Sequence, residues 1–184
     1  MKVEETYLKG VFVVETSPLI DTRGSFERFF CDRELDPYLV GEQPINQINY
    51  SVNTQKGTIR GIHYQTAPHA ETKMVRCVKG RVWDVAVDLR YRSPTFLKWY
   101  AIELSPSSHN MVIIPKGVAH GYQTIEEDSH LLYLHTAHYN SDAQAGLAWN
   151  DPELKITWPL PSEALSDRDK RHRFISEDFI GVEL

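Results

Sequence analysis

The chain has 184 residues, of which 41% are hydrophobic and 24% charged, and a formal net charge of −5. That composition suits one globular domain spanning residues 1–184, long enough for a sizeable core and too short for two full domains. The acidic balance (pI ≈ 5.9) excludes a general nucleic-acid binder. It leaves room for a small phosphorylated ligand, because Arg23, Arg28, Arg60, Lys73 and Arg76 crowd a few segments.

In chain order, the N-terminus MKVEETYLKG has no apolar core of a signal segment, and no run approaches the ~18 apolar residues of a membrane span. A cytoplasmic protein without a membrane partner is expected. Strand-like runs rich in Val, Ile, Tyr, Phe and Trp follow at 11–16, 25–30, 45–52, 57–65, 73–79, 82–89, 97–104, 110–114, 121–125 and 131–136. Turn sequences such as SPLIDTRG, TQKG, VKGR, RYRSP and PKG separate them. The run 81–88 alternates apolar and polar residues, the period of a strand. Helical periodicity is confined to 32–38 and to 166–173, the second with Ser166 as N-cap and Asp169 at the capping-box position. Cys31 and Cys77 make no disulfide framework, and Cys77, inside MVRCV, reads as a buried core thiol. Many short strands at this spacing predict an all-β jelly roll or barrel with short peripheral helices.

The stretches GTIRGIHYQTAPHAETKMVRCVKG (57–80) and MVIIPKGVAHG (111–121) set His63, Lys73 and His120 on short strands between glycine and proline turns. Titratable groups aimed into the mouth of a small barrel would give this pattern, and such a mouth suits acid–base chemistry. Pro115-Lys116-Gly117-Val118-Ala119-His120 resembles the second motif of the cupin barrels. Gly57, His63 and Gly80 match part of the first motif, but Gln65 stands at its second histidine and Glu71 sits one place late. The cupin-like barrel is therefore expected without its metal, since a neutral amide is a poor transition-metal ligand; no cofactor is expected.

A sharper resemblance runs from residue 21 to 169. Asp21-x-Arg23-Gly24-x-Phe26, Gln47-x-Asn49-x-Ser51, Arg60-Gly61-Ile62-His63-Tyr64-Gln65, Lys73-Met74-Val75-Arg76, Asp84–Arg90 and Ser93-Pro94-Thr95-Phe96 occur in order. Pro115-x-Gly117-x-Ala119-His120-Gly121, Tyr133, Trp149-Asn150-Asp151-Pro152, Ile156-x-Trp158-Pro159 and Leu165–Asp169 follow. This order resembles the dTDP-4-dehydrorhamnose 3,5-epimerase family of deoxysugar biosynthesis. The resemblance implies a metal-free cupin, a homodimer, that inverts carbons flanking the 4-keto group of a dTDP-linked 4-keto-6-deoxyhexose. Matched position by position, it implies His63 as base, Asp169 as the carboxylate orienting it, Tyr133 as acid on the other face, and Lys73 as the cation near the enolate oxygen. Arg23, Arg60 and Arg168 are implied to meet the pyrophosphate or nucleotide. Gln47, Asn49 and His120 would add polar contacts, with Phe26, Arg28 and Gln144 also at binding positions.

Several positions depart from the family pattern. Arg28 and Gln144 replace expected Glu residues, Tyr122 replaces a Phe, and His138 replaces one Tyr of a pair. If Arg28 and Gln144 line the pocket, it is more positive than usual, and discrimination among bases or sugars shifts. Asp84 reads equally as the orienting partner of a pocket histidine or as a sheet-edge residue. A 3- or 5-monoepimerase, an epimerase of another nucleotide sugar, and a non-catalytic sugar-nucleotide-binding cupin are the rival readings. A metal-dependent cupin enzyme is disfavoured by Gln65.

Overall fold

The structure is a computed structural model that describes residues 1–39, 41 and 44–184. Two antiparallel sheets face each other. The larger runs β1 (Lys2–Glu5), β2 (Phe12–Glu15), β10 (Asn110–Ile114), β7 (Lys73–Lys79), β12 (Ser129–His135) and β5 (Gln47–Asn53), in that spatial order. The smaller runs β13 (Gln144–Gly146), β6 (Ile59–Gln65), β11 (Val118–Thr124), β8 (Val82–Asp88) and β9 (Trp99–Leu104). A separate hairpin joins β3 (Leu19–Asp21) to β4 (Gly24–Phe26). Helices are short: α1 (Asp32–Leu35) with a 3₁₀ turn at Asp36–Tyr38, a second 3₁₀ turn at Pro106–Ser108, and α2 (Asp167–Lys170). This is the jelly roll with peripheral helices that the strand spacing predicts.

Three packed layers explain why the central strands read as continuous apolar runs. Between the sheets, Val75 and Cys77 of β7, Ile114 of β10 and Leu131 of β12 meet Val82 and Ala86 of β8 and Val118 and Tyr122 of β11. Outside the larger sheet, Met74, Met111, Ile113 and Leu134 pack under Leu35 of α1. Outside the smaller sheet, Val85, Val87 and Ala119 pack under Trp83, Trp99 and Trp158 and under the C-terminal residues Ile175, Phe179 and Val182. With apolar cover on both faces, β7, β10 and β11 have no solvent face to mark with polar residues.

The run 81–88 does alternate, but its polar face points inward. Val82 and Ala86 share the inner core with the side of β8 that carries Asp84, while Trp83, Val85 and Val87 belong to the outer layer. Strand β8 lies between β11 and β9, so Asp84 is not on a sheet edge. The predicted strand at 25–30 ends at Phe26. Beyond it the chain becomes a strap tied to buried Arg76, whose Nη2 meets Glu27 Oε1 at 2.5 Å and whose guanidinium lies 4.0 Å from the Phe29 ring centroid. Cys77 is buried and its thiol is pushed up to about 11 by desolvation, consistent with a core thiol. Among the described residues no helix is long and apolar enough to cross a membrane.

Candidate active site

A cavity of about 510 Å³, within the size range of small-molecule sites, opens between the two sheets. From the smaller sheet, β6 sends in both Arg60 and His63. A spacing of three puts residues on opposite faces of a regular strand, so the pairing must slip. It does: His63 pairs with His120 and Arg60 with Tyr122, an irregularity that opposes one more residue on β6 than on β11. Gly61 makes this possible. Its φ is +133°, and a Cβ there would lie 2.5 Å from Gly121 Cα.

His63 Nε2 lies 2.6 Å from Asp169 Oδ1. Asp169 is delivered by α2, whose first turn is fixed because Ser166 Oγ accepts from the Asp169 N–H at 3.1 Å. Burial pushes Asp169 up, but His63, the Ser166 cap and Arg168 outweigh it and hold the carboxyl below its usual range. An ionised carboxylate only accepts, so the shared proton sits on His63 Nε2 and the Nδ1 lone pair is the basic one. Burial also lowers His63 below the usual imidazole range. Asp169 pulls it up, while Arg168 and Lys73 push it further down. His63 is therefore neutral at pH 7, as a base must be. His172 packs edge-on against it, ring centroids 5.6 Å apart. Gly146 leaves the space for this ring, since a Cβ there would meet the imidazole at 2.5 Å.

From the larger sheet come Tyr133 and His135 of β12, Lys73 of β7 and Asn49 of β5. Burial, with Tyr122 and Asp84 close by, raises the Tyr133 phenol well above its ordinary value. It stays protonated and so is available as a proton donor. Its hydroxyl neighbours that of Tyr122, which donates to Asn53 Oδ1 at 3.0 Å; Arg60 Nε donates to the same oxygen at 2.8 Å. The hydroxyl that distinguishes Tyr122 from Phe thus joins a hydrogen-bonded network beneath Tyr133. His120, its Nε2 2.8 Å from Asp84 Oδ2, lies edge-on to Tyr133 with centroids 6.1 Å apart.

Of the residues picked from sequence, His63, Lys73, Tyr133, Asp169, Asn49, Arg60, His120, Gln144 and Arg168 line this one cavity. Gln144 Oε1 accepts from Arg168 Nη1 at 2.8 Å and from the Tyr139 hydroxyl at 2.7 Å, so the amide cross-links the rim. Gln47 stands behind the lining, donating to Asn49 Oδ1. Arg23, Phe26 and Arg28 lie outside it. Arg23 pairs with Asp21 at 2.6 Å on the tip of the β3–β4 hairpin and Phe26 is 74% exposed. Arg28 pairs with Glu34 at 2.5 Å, so the expectation of a more positive pocket does not extend to Arg28 within a single chain. Arg76 is likewise spent on the Glu27 strap, outside the cavity. Sequence reading passed over Glu71, His135 and Tyr139 as lining residues. For His135 a signal was present, since it lies two residues after Tyr133 and so shares its face.

The cupin metal positions do not fit a divalent ion here. Gln65 Nε2 donates to His69 O at 3.1 Å and its Oε1 accepts from Asn140 N–H at 2.7 Å, so the amide is committed to backbone. The donor atoms of His63, Asp169 and His172 do lie within 4.8 Å of one another, but the 2.6 Å contact within that group is a hydrogen bond.

The family profile for dTDP-4-dehydrorhamnose 3,5-epimerase matches residues 5–177. The chain belongs to this family. It is a carbohydrate epimerase, an isomerase. The dTDP-4-dehydrorhamnose 3,5-epimerase of Shigella flexneri is 36% identical over 180 residues, covering 97% of this chain and 99% of the relative. The crystal structure of the Bacillus anthracis enzyme with TDP and PPi bound superposes with a TM-score of 0.90 at 37% identity, over 95% of this chain and 99% of that one. The Legionella pneumophila enzyme in complex with dTDP-4-keto-L-rhamnose gives 0.91 at 30% identity, over 100% and 98%.

Proposed function

We propose that the cavity, within a single domain, binds dTDP-4-dehydro-6-deoxy-D-glucose and inverts C3 and C5 to give dTDP-4-dehydro-L-rhamnose. One observation carries the reading: a neutral histidine base and a protonated tyrosine acid come from opposite sheets and face the same cavity. His63 Nδ1 takes the proton from the carbon next to the ketone, and the electron pair of that C–H bond forms an enolate. The Lys73 ammonium stabilises the developing oxyanion, and Asp169 stabilises the imidazolium. Tyr133 returns a proton to the carbon from the other face, which inverts it. Proton exchange with solvent resets His63 and Tyr133 before the second carbon reacts. A non-catalytic binding cupin would have no use for this opposition of acid and base. Arg60 and Arg168, both exposed at the cavity, supply charge for the pyrophosphate, and Asn49, His120 and Gln144 supply polar contacts.

A homodimer would account for the positions of Arg23 and Phe26 on the exposed hairpin. Strand β5 is an edge of the larger sheet, and its outward Ile48, Tyr50 and Val52 are exposed, as are Leu19, Ile20 and Phe26 on the hairpin. An uncovered edge with apolar side chains is a pairing surface. In this reading the hairpin of one protomer crosses to its partner and brings Arg23 and Phe26 to the partner's cavity. Incubation with dTDP-4-dehydro-6-deoxy-D-glucose, with product stereochemistry read from NMR couplings, tests the reaction. Inversion at both carbons is expected, whereas inversion at one alone would make the protein a monoepimerase.

A further inference from the structure

Beside His63–Asp169 and His120–Asp84, the cavity wall holds a third imidazole–carboxylate pair, to which the proposed reaction gives no role. His135 Nδ1 lies 2.7 Å from Glu71 Oε2, and the other carboxylate oxygen, Oε1, lies 3.4 Å from Lys73 Nζ. All three side chains line the cavity, and those of Lys73 and Glu71 are only 8% and 9% exposed. The hydrogen bonds around them have one consistent direction. Tyr139 N–H donates to Gln47 Oε1 at 3.0 Å, and Gln47 Nε2 donates to Asn49 Oδ1 at 3.1 Å. Asn49 therefore turns its NH₂ toward His135 Nε2, 3.4 Å away. With a donor facing Nε2, the ring proton belongs on Nδ1, where it is given to Glu71. The imidazole is further held by stacking on Tyr133, with centroids 5.9 Å apart and planes 12° from parallel. Burial pushes Glu71 up, but His135 and Lys73 together keep it below the usual carboxylate range.

We propose that Glu71 and His135 are positioning residues, a pair that fixes the Lys73 ammonium in the cavity wall where enolate charge develops. The inference rests on the reading of Lys73 as the enolate's cation. A lysine has a four-carbon stem with many rotamers, and a buried ammonium without a counter-charge readily gives up its proton. Glu71 removes both freedoms only if it is itself held, and His135 holds it. The groups facing Lys73 are Glu71 at the entry to its own strand, Tyr133 and His135 on β12, and His63 across the cavity on β6. Its partner on β10, Ile114, carries no charge.

The test compares Glu71→Gln, His135→Phe, His135→Asn and Lys73→Met in the full chain, measuring kcat and KM from about pH 5.5 to 9.5. In Glu71→Gln the amide no longer favours the ammonium, so the alkaline limb of kcat moves to lower pH by about 1–3 units while KM changes little. His135→Phe keeps the stacking surface but loses the donor, so kcat falls about 10- to 100-fold. His135→Asn places an N–H near the former Nδ1 and restores most of that loss. An unmoved alkaline limb in Glu71→Gln, or an Asn variant as poor as the Phe variant, overturns the proposal. If Glu71→Gln does not fold, the Phe–Asn comparison decides alone. Near-normal kcat in Lys73→Met would instead overturn the role of Lys73 itself.

Discussion

Replacing Asp169 by Asn keeps the volume of the side chain and removes its charge from a site that is 2% exposed. The 2.6 Å contact to His63 Nε2 is the carboxylate's main influence on the base. An opposite charge this close shifts a pKa by about 1–3 units, or about 1.4–4 kcal/mol. That corresponds to a loss of ~10- to 10³-fold in kcat if the whole effect is felt in the transition state. An amide that turns its NH₂ to Nε2 also forces the ring proton onto Nδ1, removing the basic lone pair; tautomer loss of this kind has cost about 10⁴-fold in a serine-protease triad. The pH dependence has a definite sign. His63 must be unprotonated to act, so kcat rises with pH through its pKa. Asp169 raises that pKa, so the Asn variant should have its acid limb at lower pH beneath a lower plateau. Solvent-deuterium wash-in to substrate, followed by NMR against pH, reports this step without the need for turnover. A plateau within about threefold of wild type, or an acid limb that stays put or moves up, would refute the role given to Asp169.

Two further substitutions probe separate parts of the account. Tyr133→Phe should leave proton removal by His63 running while return on the other face fails, so deuterium exchanges without inversion at one or both carbons; full inversion by this variant would remove Tyr133 from the mechanism. Gly61→Ala should destabilise the protein by about 1–3 kcal/mol, because the added Cβ falls 2.5 Å from Gly121 Cα at a φ of +133°. A denaturation midpoint equal to wild type would count against the slipped β6–β11 register.

Much of this architecture is legible in the sequence, and the exceptions have physical causes. The runs at 73–79 and 110–114 match β7 and β10 residue for residue because glycine or proline turns bound apolar strands. Strands β1, β3 and β13 have no counterpart among the predicted runs: they are three or four residues long, too short for any periodicity to register. Motif order found His63 and Asp169, which lie 106 residues apart. It did not find the Glu71–His135 pair, because contact across 64 residues depends on the β7–β12 register. The inward turn of Arg60 contradicts strand period and depends on a register slip that only the sheet reveals. Arg28 matched a binding position in the sequence, whereas its contact with Glu34 depends on where the strap leaves the hairpin.

The central claim, proton removal and return from opposite sheets at both carbons, is tested most directly by running the reaction in deuterated water. Wild-type protein is predicted to place solvent deuterium at C3 and C5 of an inverted product, and His63→Ala to place it at neither. Inverted product free of deuterium, or wash-in persisting at wild-type rate in His63→Ala, would contradict it.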